Sequence, residues 1–231
     1  MTTLNKLAEQ VLSPFAYDKW FDLREEVKAM ARHKRGVKAA KQFAWPAGAK
    51  VNIGSGYVKT PGFVTVDFCD GVDIQVDLRR PLPIPNAVAS IILCEHFLEH
   101  LRYPGQAVSF LKECQRILQP GGELYISVPD TQWMLECYVK GDPKYAEICE
   151  ANKWHPDWVK TQMEHINYHF RQQDDDRRDS DFECHRYAYD ETTLVKALLE
   201  AGFTKAHGRE FDPKYDAPHR REGSLFVKAV K

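Results

Sequence analysis

Short β-branched apolar runs alternate along this chain with polar segments that carry helical spacing. Runs near 50–54, 63–67, 73–76, 89–94 and 123–129 read as strands. Between the last two, Ala107, Phe110, Leu111, Cys114 and Leu118 fall on one face and predict an amphipathic helix over about 106–118. It stops at Gln119-Pro120-Gly121-Gly122, because proline cannot continue a helix and glycine takes the left-handed turn. A second helix opens at Asp190, a residue suited to capping, and sets Leu194, Ala197, Leu198 and Ala201 on one face before Gly202. Strand-like runs near 203–209 and 224–230 follow. Strands alternating with helices argue for an α/β domain with a largely parallel sheet.

Two segments stand outside that alternation. Residues 1–48 are polar and helical in pattern, an N-terminal extension before the domain proper at 49–231. From 28 to 41 every charge is positive (Lys28, Arg32, Lys34, Arg35, Lys38 and Lys41). A solvated helix face explains this run more simply than a polyanion site does. Residues 131–189 are rich in aromatics and histidines, among them Trp133, Tyr145, Trp154, His165 and His169, and include the charged tract Asp174–Asp179. An insertion after a strand's carboxyl end lies over the ligand crevice of such a sheet. The segment therefore reads as a helical lid over the substrate, or else as a small second core with a solvated loop.

Composition narrows the classes. Apolar residues make up 43% of the 231, enough for a real core, and the formal charge of −1 gives no pull toward nucleic acid or anionic membrane. No apolar run approaches the roughly 18 residues of a membrane span, and the N-terminus lacks a signal-peptide pattern. Six scattered cysteines with no C-x-x-C pair suit free thiols in a reducing cytoplasm. Oligomeric state is not legible.

The chemistry concentrates at 51–67, Val-Asn-Ile-Gly-Ser-Gly-Tyr-Val-Lys-Thr-Pro-Gly-Phe-Val-Thr-Val-Asp. Gly54 and Gly56 let the backbone turn sharply and approach a ligand, since neither carries a Cβ. Asp67, at the tip of the next strand, can accept hydrogen bonds from both hydroxyls of a ribose. A nucleoside-containing cofactor is implied.

Five segments in order then resemble class I S-adenosylmethionine-dependent methyltransferases of the small type 11-like group. They are Asn52–Gly56, Phe63–Asp67, Asp77–Pro85, Glu95–Leu101 and Leu118–Asp130, with His185-Arg186-Tyr187-Ala188-Tyr189-Asp190 and a final strand resembling the family's tail. The resemblance covers about 50–130 and 183–231. It implies a Rossmann-like, seven-stranded, mostly parallel sheet of order 3-2-1-4-5-7-6. It implies S-adenosyl-L-methionine as cofactor, with Asn52, Gly54, Ser55 and Gly56 beneath its methionine part, Asp67 on the ribose and Phe68 beside the adenine. Asp77 and Leu78 would lie at the adenine edge, and Cys94, Glu95 and His96 would face the sulfonium and the substrate.

Two departures matter. Only eight residues separate Gly54 from Phe63 and only five separate Asp67 from Asp73, so the first crossover helices are stubs or absent. Lys59 stands where a dinucleotide fingerprint needs its third glycine, which disfavours an NAD(P)-dependent oxidoreductase. Ser90, where the family often has an acid, carries no consequence for the cofactor.

The reaction implied is in-line methyl transfer to a hydroxyl or amine of a polar small molecule, with a sugar or glycan precursor as a guess from the resemblance. Histidine suits removal of the acceptor's proton. His96 is the first candidate, then His185 and His169, with Asp130 as an orienting acid. A structural hydrogen bond is the alternative role for His96. His96-Phe97-Leu98-Glu99-His100 also matches a zinc-protease pattern, but that pattern needs a regular helix. His165, His169 and Cys184-His185 could ligate zinc, yet their spacing fits no tight structural site, and no metal is assigned. A non-catalytic cofactor-binding protein is the remaining alternative.

Overall fold

The computed structural model describes residues 10–171 and 184–231. The charged tract at 174–179 lies outside the described residues. One sheet carries seven strands in the order β3-β2-β1-β4-β5-β7-β6. They are β1 (Ala49–Ile53), β2 (Val64–Asp67), β3 (Ile74–Gln75), β4 (Ala89–Glu95), β5 (Leu118–Pro129), β6 (Lys205–Gly208) and β7 (Ser224–Val230). The first five pair in parallel, and β7 runs antiparallel to both β5 and β6. This is the order the resemblance implies.

The core lies on the central strands, where Val51, Ile53, Val66, Ile92, Leu124, Ile126 and Val227 are wholly buried. Helix α2 (Gly105–Ile117) presents Ala107, Phe110, Leu111, Cys114 and Ile117 to it. Leu118, expected on that helix face, instead opens β5. The register passes from Ala89 opposite Leu118 to Ile91 opposite Glu123, so Gln119–Gly122 bulge out of the strand. Gly121, with φ of 75°, makes that bulge possible. The second predicted helix is present as Glu191–Glu200, with Asp190 Oδ1 accepting from Thr193 N–H at 2.8 Å.

No helix lies between β1 and β2 or between β2 and β3, and β3 has two residues only. The missing cover comes from the N-terminal side. Helix α1 (Pro14–Gln42) runs against β3, and its Ala40 is buried in the main core. Contact is close at Gly36, where a Cβ would stand 1.7 Å from the Gln75 carbonyl oxygen. His33 Nδ1 accepts the Asp77 N–H at 3.2 Å. Of the six basic residues at 28–41, five face solvent as expected, while Arg32 turns inward.

Asp77 is 1% exposed, and its carboxylate accepts from the Arg79 backbone N–H, from Arg79 Nε and Nη2, and from Arg80 Nε. Arg79 also reaches Glu26 on α1 at 2.8 Å. Asp77 therefore ties α1 to the sheet instead of standing open at an adenine edge, and Leu78 is buried in the core. These two placements correct the sequence expectation. The cause is charge pairing: a buried carboxylate keeps its charge only beside cations and donors.

Burial alone would raise the Asp77 carboxyl, but the hydrogen bonds from Arg79 and the charges of Arg79 and Arg80 hold it below the ordinary range. Asp77 ionised thus stabilises the fold above its unfolded value, near 3.9, and that stabilisation is lost as pH falls through the lower folded value. Replacing Arg79 by Leu should lower stability by about 3 kcal/mol, because it strands a buried charge. The urea midpoint should fall accordingly, and adding Asp77→Asn should restore part of it. An unchanged midpoint would contradict this assignment.

Candidate active site

The turn after β1 is built by Gly54 and Gly56, whose φ values of 76° and 55° suit glycine. A Cβ on Gly54 would lie 2.6 Å from that of Phe97, just past β4. The turn therefore rests directly on the segment leaving β4. Asn52 donates its side-chain amide to Thr60 Oγ1 at 2.9 Å, bracing the loop that follows.

Asp67 holds this turn from the side. Its Oδ2 accepts the Gly56 N–H at 2.8 Å, and its Oδ1 accepts from the N–H groups of Phe68 and Cys69. A carboxylate has about four lone-pair sites, so capacity remains for a ribose hydroxyl. Beside it, the Arg32 guanidinium lies 4.8 Å from the centre of the Phe68 ring. Arg32 also reaches the Phe68 carbonyl at 3.4 Å. Sequence reading missed this arm of α1, since nothing in a run of basic residues singles out the one that turns inward.

Beyond the ends of β4 and β5 is a cavity walled by histidines. His96, His100, His155, His169 and His185 line it with Glu99, Arg220 and the rings of Tyr145, Trp154 and Tyr168. The segment after β5 supplies one wall from α4 (Lys144–Ala151), α5 (Gln162–Arg171) and the loop between them, and α3 (Thr131–Lys140) packs on both helices. Its own small core of Met134, Cys137, Tyr145 and Cys149 keeps these helices together. Segment 184–187 closes another wall, because the Glu99 carbonyl accepts the N–H groups of Arg186 and Tyr187 at 2.7 and 3.1 Å.

Burial governs the charges here. It holds His96 well below the usual histidine value, assisted by the Arg220 charge, and brings His185 to about 4 and His155 and His169 to about 3. These imidazoles are neutral at pH 7 and can accept protons or ligate. Glu99 is 2% exposed, and burial pushes its carboxyl up to about 8. Among the described residues neither of its side-chain oxygens has a hydrogen-bond partner, and His96 Nδ1 lies 3.6 Å from Oε1. His96 itself has φ of 48°, a conformation that costs a side-chain-bearing residue about 1 kcal/mol or more. Bonds from its N–H to Ser127 O and from Nε2 to Ser224 Oγ, 2.9 and 2.7 Å, hold it there.

A family model described as a methyltransferase domain matches residues 3–207 of the chain. The chain belongs to that family. It is an S-adenosylmethionine-dependent methyltransferase, and S-adenosylmethionine is its cofactor. Solved structures of similar shape include three S-adenosylmethionine-dependent methyltransferases. That of Thermotoga maritima, a possible histamine N-methyltransferase, is 14% identical, with 93% of this chain and 98% of that one covered at a TM-score of 0.42. That of Mesorhizobium loti is 14% identical, over 84% and 96%, at 0.45. That of Aquifex aeolicus is 14% identical, over 84% and 88%, at 0.41. No functionally curated protein matches the chain. Among the described residues no helix is long and apolar enough to cross a membrane.

The methyltransferase brings Gly54, Ser55, Gly56, Asp67 and Phe68 together at one end of the sheet, and His96 and His185 into the cavity. Other expected site residues are committed to other contacts. Cys94 is wholly buried in the main core, so its thiol faces neither cofactor nor substrate. Glu95 Oε1 accepts the Ala217 N–H at 3.0 Å and holds the connection between β6 and β7. Asp130 caps α3 through Trp133 N–H at 3.0 Å, which orients the lid instead of a base. His169 has both ring nitrogens engaged, Nε2 with Thr131 Oγ1 and Nδ1 with the Tyr145 hydroxyl, each at 2.9 Å. The zinc-protease pattern lacks its helix, since Leu98–His100 form a single 3-10 turn. The set His165, His169 and Cys184-His185 is divided as well. Geometry groups Cys149 with His155 and His165, and Glu99 with His100 and His185, each set having ligand atoms within 4.8 Å.

No helix opens at the Gly54 turn to receive a pyrophosphate, which suits a cofactor without phosphate. Gly54→Ala should weaken S-adenosylhomocysteine binding at least about tenfold, or 1.4 kcal/mol, because a Cβ there strains the turn and presses on Phe97. Calorimetry checks this, with circular dichroism as the fold control. An unchanged dissociation constant in a folded variant would refute the placement.

Proposed function

We propose that this enzyme methylates a hydroxyl or amine of a polar small molecule held in the histidine-walled cavity, a sugar-like polyol being the acceptor class. The cavity carries the reading. Neutral imidazoles accept hydrogen bonds from hydroxyls, Arg220 donates them, and the faces of Trp154 and Tyr168 suit the apolar side of a sugar ring. We place the enzyme in a reducing cytoplasm, in keeping with its six thiols.

In this scheme the cofactor, when bound, would supply an activated methyl carbon on its sulfonium. The protein's residues do the rest. Asp67 holds the ribose, while Phe68, backed by Arg32, flanks the adenine. The Gly54–Gly56 turn admits the methionine part. The cavity fixes the acceptor in line, where proximity recovers much of the barrier. His96 takes the proton that leaves the acceptor, with His185 as the second choice. His96 is pinned through Ser224, so its ring cannot swing from the strand end.

Asp67→Ala should weaken S-adenosylhomocysteine binding by at least about tenfold, read by calorimetry. NADH should bind neither protein; tight NADH binding would overturn the cofactor assignment. A screen of hydroxylated and amino acceptors by mass spectrometry should find one that gains a methyl group. On that acceptor, His96→Asn should lower kcat about a hundredfold or more, the usual worth of a positioned base. Tight S-adenosylhomocysteine binding with no transfer to any acceptor class would make this a binding protein.

A further inference from the structure

Glu99 poses a physical problem that methyl transfer alone does not solve. A carboxyl group with almost no exposure, whose two oxygens have no hydrogen-bond partner among the described residues, is costly to bury unless a donor or a cation meets it. Its neighbours are imidazoles and the Arg220 guanidinium. His100 and His185 stand with ring centres 5.0 Å apart, and one nitrogen from each lies within 4.8 Å of a Glu99 oxygen and of the other.

The tautomers of both rings can be read from the structure. His185 Nδ1 lies 2.6 Å from the His169 carbonyl, and His100 Nδ1 lies 3.3 Å from the Cys184 carbonyl. A carbonyl only accepts, so in each ring Nδ1 carries the proton and Nε2 carries the lone pair. This is the arrangement that outer hydrogen bonds impose on metal-ligating histidines. The two supporting carbonyls belong to the lid and to the segment that Glu99's own carbonyl anchors, so the three donors are held by one connected scaffold.

We propose that Glu99, His100 and His185 bind one divalent first-row transition ion in the wall of the acceptor cavity. This deepens the methyltransferase reading and rests on it. Two imidazoles and one carboxylate suit Zn2+, Co2+, Mn2+ or Fe2+ better than Mg2+, which prefers an all-oxygen shell. With bonds of about 2.1 Å, donor pairs on one ion sit about 3 to 4 Å apart. Small side-chain rotations complete the shell. Three protein ligands leave a position open to the cavity, where the acceptor's oxygen would coordinate beside the methyl donor. The ion then polarises that hydroxyl and orients it, a role a lone histidine cannot fill. Acceptors with two neighbouring oxygens fit such a site best.

The test uses the whole chain, stripped with a chelator and titrated with Co2+. A Cys149→Ser background keeps the separate Cys149-His155-His165 group out of the count. One equivalent should bind with a visible absorption band, and Zn2+ should displace it while millimolar Mg2+ should not. Glu99→Gln and His185→Ala should each weaken Co2+ binding at least about thirtyfold, yet bind S-adenosylhomocysteine as before. That second readout reports folding and the cofactor reading independently of the metal. Co2+ binding unchanged by either variant, absent in the Cys149→Ser protein, or displaced by equimolar Mg2+ would overturn the proposal.

Discussion

The hydrogen bond from Gly56 N–H to the Asp67 carboxylate is the constraint on which the glycine-turn end of this protein depends. In a fuller fold of this type, crossover helices set the angle between the first strand, its glycine turn and the second strand. Here only turns connect them, and a single acid at the tip of β2 fastens the turn to the strand beside it. The same carboxylate receives two further N–H groups from its own loop. In the proposed scheme the group that stiffens the turn also meets the ribose, so stability and recognition would share one side chain.

Loss of the crossover helices leaves the β3 edge uncovered, and α1 answers that need. A helix can approach a strand this closely only where it has no side chain, which is why Gly36 sits against Gln75. The buried Asp77 and Arg79, with Glu26, then fix α1 in angle as well as in distance. Arg32, one turn from Gly36 on that helix, lands on Phe68. The N-terminal segment therefore reaches the loop after β2 as well as covering β3.

The histidine-walled cavity follows a different logic. Its histidines come from the segment leaving β4, from the helical segment after β5 and from segment 184–187, and burial keeps them uncharged. Removing so many imidazoles from water is tolerable because most are hydrogen-bonded, His169 at both nitrogens and His185 to a carbonyl. Glu99 is the exception, with no hydrogen-bond partner among the described residues and with imidazoles and the Arg220 charge around it.

Read alone, the sequence determined the alternation of strands and helices, the glycine turn, the acid at the tip of β2 and, through five ordered segments, the family. These features are local: periodicity, caps and turns act over a few residues, so they can be seen in one. Positions such as Cys94, Asp77, Asp130 and His169 were misjudged because adjacency in a motif does not say which way a side chain points. Strand alternation sends Cys94 inward, the nearby Arg79 and Trp133 engage Asp77 and Asp130, and the distant Thr131 and Tyr145 engage His169. Only the tertiary structure brought His100, 85 residues upstream of His185, into contact with it beside Glu99. Long-range packing decides where a buried charge finds or lacks a partner, and no spacing along the chain carries that information.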